Sequence, residues 1–267
     1  MGLPEPSVSS TALVTGASAG IGTAIAGELA SRGHAVVLVA RREERLQTLA
    51  TELSSEHGVV AEPIACDLGE IEERNRLADE LRERGRSVEI LVNNAGFGHQ
   101  ADFATSPRQR MVEMVRLNVE AVVDLTGRFL GPMVDRGRGA VINVASLGAF
   151  QPLPGSAVYG AGKAFVLSFS EAIRTELRGT GVSITAVCPG PVRTEFTEIA
   201  GIGGVEDRTP GAVWMSAEDV ARHAVDGAEH DRRVVVPGAL NRATALAGQH
   251  SPRAIALPLI GRVWRNI

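Results

Sequence analysis

The stretch TALVTGASAGIG, residues 11–22, decides the fold. TALVTG is a short apolar run closing on glycine and reads as a strand. From about Ile21 to Arg32 the apolar residues Ile25, Ala26 and Leu29 recur at helical spacing, and Gly33 ends the helix. Between the two lie glycines 16, 20 and 22. Glycine permits a tight turn and lets backbone N–H groups approach a pyrophosphate at a helix N-terminus. A Gly-rich stretch carries little weight alone in a chain with 30 glycines. Its place in the first strand-to-helix turn gives it weight, and it marks Gly16, Gly20 and Gly22 as candidate phosphate-site residues.

Outward from this turn, strands and helices alternate. HAVVLVA, VVAEPIACD, EILVNNAG, GAVINVAS, VSITAVCPG and RRVVVPG read as six further strands. The continuous β-branched run in HAVVLVA is the pattern of a strand buried on both faces of a parallel sheet. Helical patterns fill the gaps, including a polar REERLQTLATELSSEH, an IEERNRLADELRERG with a solvated charged face, a long stretch from about Pro107 to Arg136, one over roughly Ala157 to Gly179, and SAEDVARHAVDGAE opening on a capping box. This order predicts an α/β, Rossmann-type, doubly wound parallel sheet with helices on both faces in a single domain. A flexible N-terminus is expected over 1–10, the catalytic domain over 11–236, and an extension packed on it over 237–267.

Composition closes off several classes. A net charge of −4 gives no support to non-specific nucleic-acid binding. Two cysteines, Cys66 and Cys188, cannot build a disulfide framework, which favours a reducing, cytoplasmic setting. The start lacks the charged and apolar regions of a signal peptide, and no apolar run approaches the roughly 18 residues of a membrane span. The six histidines are scattered without ligand spacing, so no metal site is expected. Cys188 reads as a buried, inert thiol.

The second strand ends in Arg41 and Arg42, where an acidic residue would bind the ribose hydroxyls of NAD. A basic pair suits the 2′-phosphate of NADP, because the guanidinium fork donates two hydrogen bonds.

YGAGK, residues 159–163, holds the only tyrosine and the only lysine; the other 26 of the 27 basic residues are arginine. Positions i and i+4 share a helix face, so Tyr159 and Lys163 point the same way. An ammonium beside a phenol stabilises the phenolate, lowers the ordinary pKa of about 10 and makes a better acid for a carbonyl becoming an alkoxide. Lysine offers a compact charge where arginine offers a bulky fork. Glycines 160 and 162 weaken this helix by roughly 1 kcal/mol each, and close approach of a cofactor or of a partner helix would explain them.

These motifs, in this order, make the chain resemble the short-chain dehydrogenases/reductases of the compact, single-domain branch. The match runs over about residues 11–236 through TGASAGIG, Cys66-Asp67, NNAG at 93–96, Asn118 in RLNV, Ser146 in NVAS, YGAGK, and PGPVRT at 189–194. The resemblance implies Tyr159 as general acid/base and Lys163 as the residue that binds the nicotinamide ribose and lowers the Tyr159 pKa. It implies Ser146 as hydrogen-bond donor to the substrate carbonyl, and Asn118 as holder of a water linking Lys163 to solvent. Gly16, Ser18 and Ile21 would line the phosphate turn. Asp67 and Leu68 would flank adenine, with Asn94, Ala95 and Gly96 beside its ribose. Pro189, Gly190, Val192 and Thr194 would hold the carboxamide side of nicotinamide. Family members are commonly homodimers or homotetramers.

Two segments lie beyond the motifs. Residues 191–215, rich in Gly, Glu and Thr, are expected as a loop folding over substrate as a lid. From Arg232 to Ile267 there are six arginines and no acidic side chain. SPRAIALPLIGRVWRNI, at the end, either lies on an anionic membrane surface or packs on the chain's own domain or a neighbouring subunit. It partly resembles the tail of long-chain 3-oxo lipid reductases of the 3-oxo-mycolate type. The expected activity is NADPH-dependent reduction of a ketone, either a 3-oxoacyl or lipid ketone or a small polyol, steroid or xenobiotic carbonyl. An NADP-binding scaffold without turnover is the non-enzymatic alternative.

Overall fold

The computed structural model describes residues 2–7, 10–201, 211–254, 257–258 and 260–261. Seven strands form one parallel sheet: β1 (Ser10–Thr15), β2 (Val36–Ala40), β3 (Ala61–Ala65), β4 (Ser87–Asn93), β5 (Gly139–Val144), β6 (Val182–Val187) and β7 (Val234–Val235). Their order is β3-β2-β1-β4-β5-β6-β7, so the chain winds outward one way from β1 and then the other way from β4. Every ladder is parallel, as the continuous apolar runs predict. Pro63 interrupts β3 without harm because β3 is an edge strand.

The α-helices among the described residues include α1 (Gly20–Ser31), α2 (Glu43–His57), α3 (Ile71–Glu83), α4 (Arg108–Val115), α5 (Ala121–Asp135), α6 (Ala157–Glu176), α7 (Phe196–Ile199), α8 (Ala217–Glu229) and α9 (Ala239–His250). One face of the sheet packs Val14, Leu38, Val92 and Ile142 against α1, α2 and α8 through Ile25, Leu29, Leu46 and Val220. The other packs Leu13, Val39, Leu91 and Val141 against α3 and α5 through Leu77 and Leu125. The alternating side chains of each strand thus feed two separate cores.

Four features depart from the sequence expectations. The stretch from Pro107 to Arg136 is helical throughout, but residues Arg116–Glu120 form a π turn between α4 and α5. Such a one-residue widening is common where a helix carries a functional group. The charged pattern of α3 is not wholly solvated: Arg74 is fully buried and donates to Asp124 Oδ2 (2.8 Å), Glu120 Oε1 (2.5 Å) and the Leu68 carbonyl (2.7 Å). The N-terminal segment is tied down, with Leu3 packed on the first core and Gly2 against the backbone of Glu229. The lid region holds a turn of helix, α7, and a bridge from Val192 to Met215.

Of the C-terminal extension, α9 packs on the domain through buried Asn241 and Ala245. Trp264, Arg262 and Arg265, on which the membrane expectation leans, lie outside the described residues. No helix among the described residues is long and apolar enough to cross a membrane.

Candidate active site

The C-terminal ends of β1, β2, β4, β5 and β6 open onto one cavity of about 790 Å³. That is the position at which an open parallel sheet binds ligands, and the volume lies in the upper part of the usual range for ligand sites.

The phosphate turn forms its floor. Gly16 and Gly20 adopt φ of 67° and 56°, in the left-handed region where a Cβ is strained. The third glycine has a different reason. A Cβ on Gly22 would stand 2.3 Å from the Gly16 carbonyl oxygen and 2.5 Å from Asn94 Nδ2, so only glycine lets α1 start this close to β1 and β4. No side chain caps α1, and its first turn carries no acid. Its free N–H groups and positive dipole end therefore suit an anionic group. The NNAG segment is pinned alongside: Thr15 Oγ1 accepts from the N–H groups of Asn94 (2.9 Å) and Ala95 (3.1 Å) and donates to the Val92 carbonyl (2.9 Å).

At one end Arg41, Arg42, Asp67 and Leu68 line the cavity, and no carboxylate stands at the end of β2 itself. At the other end stand Ser146, Tyr159 and Lys163. Ser146 and Tyr159 stand together on this wall, and Ser146 Oγ accepts from Gly148 N at 3.1 Å. Lys163 is buried and donates to the Val144 carbonyl at 2.7 Å. Its Nζ lies 5.9 Å from the centre of the Tyr159 ring, so the helical spacing places both on one face as read.

The electrostatics differ from the sequence expectation. Burial pushes the Tyr159 phenol above its ordinary value; the nearby Ser146 hydroxyl opposes this but does not overcome it. Burial lowers Lys163 to about 8, with the nearby Cys188 sulfur acting the other way. Lys163 donates its short hydrogen bond to the Val144 carbonyl, with the Tyr159 ring beside it. Cys188 itself is pushed up to about 12 by burial, which makes it the inert thiol expected.

Of the sequence-predicted site residues, Gly16, Ser18, Gly20, Ile21, Arg41, Arg42, Asp67, Leu68, Asn94, Ala95, Gly96, Ser146, Tyr159, Lys163, Pro189, Gly190, Val192 and Thr194 all line the cavity. Gly22 and Asn118 do not. Asn118 sits behind it in the π turn, where its amide bonds reciprocally with Phe97: Nδ2 donates to the Phe97 carbonyl (2.9 Å) and Oδ1 accepts from Phe97 N (3.1 Å). That side chain is a clamp on the Phe97 backbone. The YGAGK glycines answer to intramolecular packing: a Cβ on Gly160 would meet Leu153 at 3.2 Å, and one on Gly162 would meet Val119 of the π turn at 3.4 Å.

Several lining residues carry no local sequence signal. Phe97, Leu153, Phe196 and Trp214 give the substrate end an apolar wall, and Phe196 packs its ring 5.6 Å from that of Tyr159. The guanidinium of Arg110 lies over the Phe97 ring at 4.0 Å. A buried polar ladder, Asn93 to Asn143 (2.8 Å) to Ser170 (2.9 Å), ties β4, β5 and α6 together beneath the site.

A family model described as short chain dehydrogenase matches residues 10–201. The chain belongs to the short-chain dehydrogenase family. It is 38% identical over 228 residues to sulfoacetaldehyde reductase 2 of Chromohalobacter salexigens, covering 80% of this chain and 86% of that one. It is 33% identical over 201 residues to the very-long-chain 3-oxoacyl-CoA reductase of Anas platyrhynchos, covering 73% and 64%. Among solved structures it is similar to a short-chain dehydrogenase from Sphingobium yanoikuyae in complex with NADPH, with a TM-score of 0.80, 35% identity and coverage of 90% and 92%. As a member of this family the chain is an oxidoreductase of CH–OH and C=O groups.

Proposed function

We propose that the chain is an NADPH-dependent carbonyl reductase in which Tyr159 protonates the oxygen of a ketone. The observation that carries this reading is the gathering of Ser146, Tyr159 and Lys163 at one end of the cavity, with Tyr159 and the buried Lys163 on one helix face. Reduced nicotinamide supplies the hydride. The carbonyl carbon gains a C–H bond, the C=O π bond breaks, and the oxygen takes the Tyr159 proton. Ser146 orients that oxygen and donates to the charge developing on it. A phenol is neutral at pH 7, and burial raises its pKa further, so Tyr159 is in the right form to donate. Lys163, its ammonium held by the Val144 carbonyl, supplies positive charge on the same helix face. Asn118 acts as a positioning residue that fixes the Phe97 loop.

The donor set fits NADP. The uncapped start of α1 and the glycines at 16 and 20 suit the pyrophosphate, and Arg41 and Arg42 with Ser18 suit the 2′-phosphate. The NADPH-bound relative supports the same cofactor.

For the substrate, the apolar wall of Phe97, Leu153, Phe196 and Trp214 favours a ketone flanked by bulky or acyl groups, as in a 3-oxoacyl chain. A second reading, a small anionic carbonyl compound, is favoured by Arg110 on the wall and by the sulfoacetaldehyde reductase likeness. The chain would act as a homo-oligomer, since Val112, Val115, Val123 and Phe165 leave apolar surface exposed on α4, α5 and α6. The test follows the absorbance of NADPH against 3-oxoacyl thioesters of increasing length, small ketones and small sulfonated or carboxylated aldehydes. Rates climbing with chain length support the acyl reading. Turnover confined to the small anionic compounds replaces it with the second. NADPH bound with no turnover on any of them sinks the enzymatic reading.

A further inference from the structure

We infer that Glu195 is a specificity-determining residue, a built-in carboxylate that competes with the cofactor's 2′-phosphate for Arg42 and Arg45. The inference rests on reading the cavity as an NADP site. Glu195 follows Thr194 at the start of the lid, 150 residues or more from its partners in sequence. Arg42 donates to its Oε2 at 2.7 Å and Arg45 to its Oε1 at 2.6 Å, so each carboxylate oxygen takes one guanidinium. Arg42 also donates from Nε to Ser18 Oγ at 3.1 Å and from Nη2 to the Ser18 carbonyl at 3.2 Å. One arginine therefore joins the phosphate turn to the lid across the mouth of the cleft. Arg41 is the exception, three-quarters exposed and only loosely near Asp67 at 3.8 Å.

The chemistry makes the clasp selective. The guanidinium N–H groups that grip Glu195 are the donors that would grip a phosphate at the end of β2. A phosphate dianion and a carboxylate cannot share them, because each N–H serves one acceptor strongly and the two anions repel. A cofactor with a free ribose 2′-hydroxyl brings no competing charge and leaves the clasp closed. Glu195 thus weakens binding of the phosphorylated cofactor and leaves the other unaffected. It sets the ratio between them, and Arg41 supplies the 2′-phosphate with a cation that Glu195 does not hold.

The clasp also has a route to the substrate end. Thr194 lies so close to Gly20 that a Cβ there would stand 2.8 Å from Thr194 Cγ2, and Phe196 packs on Tyr159. Residues 194–196 touch the phosphate turn, the arginines and the tyrosine in succession.

The test uses fragments that isolate the phosphate: 2′,5′-ADP, which carries it, and 5′-AMP, which does not. Both are titrated calorimetrically into the full chain and into Glu195→Gln. Glu195 is surface-accessible, and a melting curve establishes that the variant is folded. The clasp predicts that 2′,5′-ADP binds Glu195→Gln about three- to tenfold tighter, the worth of one or two half-exposed ion pairs, with 5′-AMP unchanged. In an Arg42→Ala, Arg45→Ala background the same substitution has no effect. Weaker 2′,5′-ADP binding would make Glu195 an organiser of the arginines and overturn the inference. So would an unchanged affinity, or an equal change for both ligands. Wild-type chain that binds neither NADPH nor 2′,5′-ADP overturns the cofactor reading as well, which separates the two failures.

Discussion

The two walls of the cleft are built on different principles. The phosphate-turn wall, from β1 into α1, is a surface of backbone in which the informative atoms are the side-chain carbons that glycine lacks. The opposite wall, from Ser146 through Tyr159 and Lys163 to the lid, is a surface of side chains held by hydrogen bonds, rings and ion pairs. On the first wall, adding one carbon should be ruinous and chemistry should hardly matter. On the second, shape should be forgiving and a single oxygen or charge should decide everything.

The largest test of that contrast removes one oxygen from the second wall. Tyr159→Phe keeps the ring and its packing on Phe196, so cofactor affinity and melting temperature should stay near wild type while kcat falls by about 10²–10⁴-fold. Retained turnover would remove Tyr159 as the acid. The matching test adds one carbon to the first wall. Gly22→Ala drives a methyl into the Gly16 carbonyl and the Asn94 amide, and should cost about 1–3 kcal/mol in urea unfolding together with loss of NADPH binding. An alanine there that binds NADPH normally would show that the turn has slack.

The smallest effect is a pH signature. Lys163 is lowered from its ordinary 10.5 to about 8 by burial. Between those values the unfolded chain holds a proton that the folded chain has released, so folding is favoured as pH rises. Below about 8 both states are charged and the full burial penalty applies. Lys163→Met should therefore lose turnover yet melt higher than wild type at pH 7, with the gap narrowing from pH 8 to 10.5. A gap that does not change with pH would mean that packing, and not charge, sets it.

The same contrast explains what could be read from the sequence. The sheet order, the phosphate turn and the tyrosine–lysine pair were legible because each follows from local spacing: glycines in one turn, apolar runs of strand length, residues four apart on one helix. Burial of Arg74 was not, because its partners Asp124 and Glu120 lie about fifty residues away and its own helix looks solvated. The Asn118 clamp was missed for a similar reason: RLNV gives no sign that its helix widens into a π turn there. Thr194-Glu195-Phe196 reads as loop composition, yet its order comes from Gly20, Arg42, Arg45 and Tyr159, which local pattern cannot see.

The single lysine has a consequence outside catalysis. Every other basic side chain is a guanidinium, so Lys163 is the only side-chain amine in the chain. Its ammonium gives up a proton near pH 8, but protein covers it. An amine-selective reagent applied to the folded chain therefore meets a side-chain amine only by way of the cavity. Bound cofactor should block that modification, which then reports occupancy of the site free of background from any other lysine.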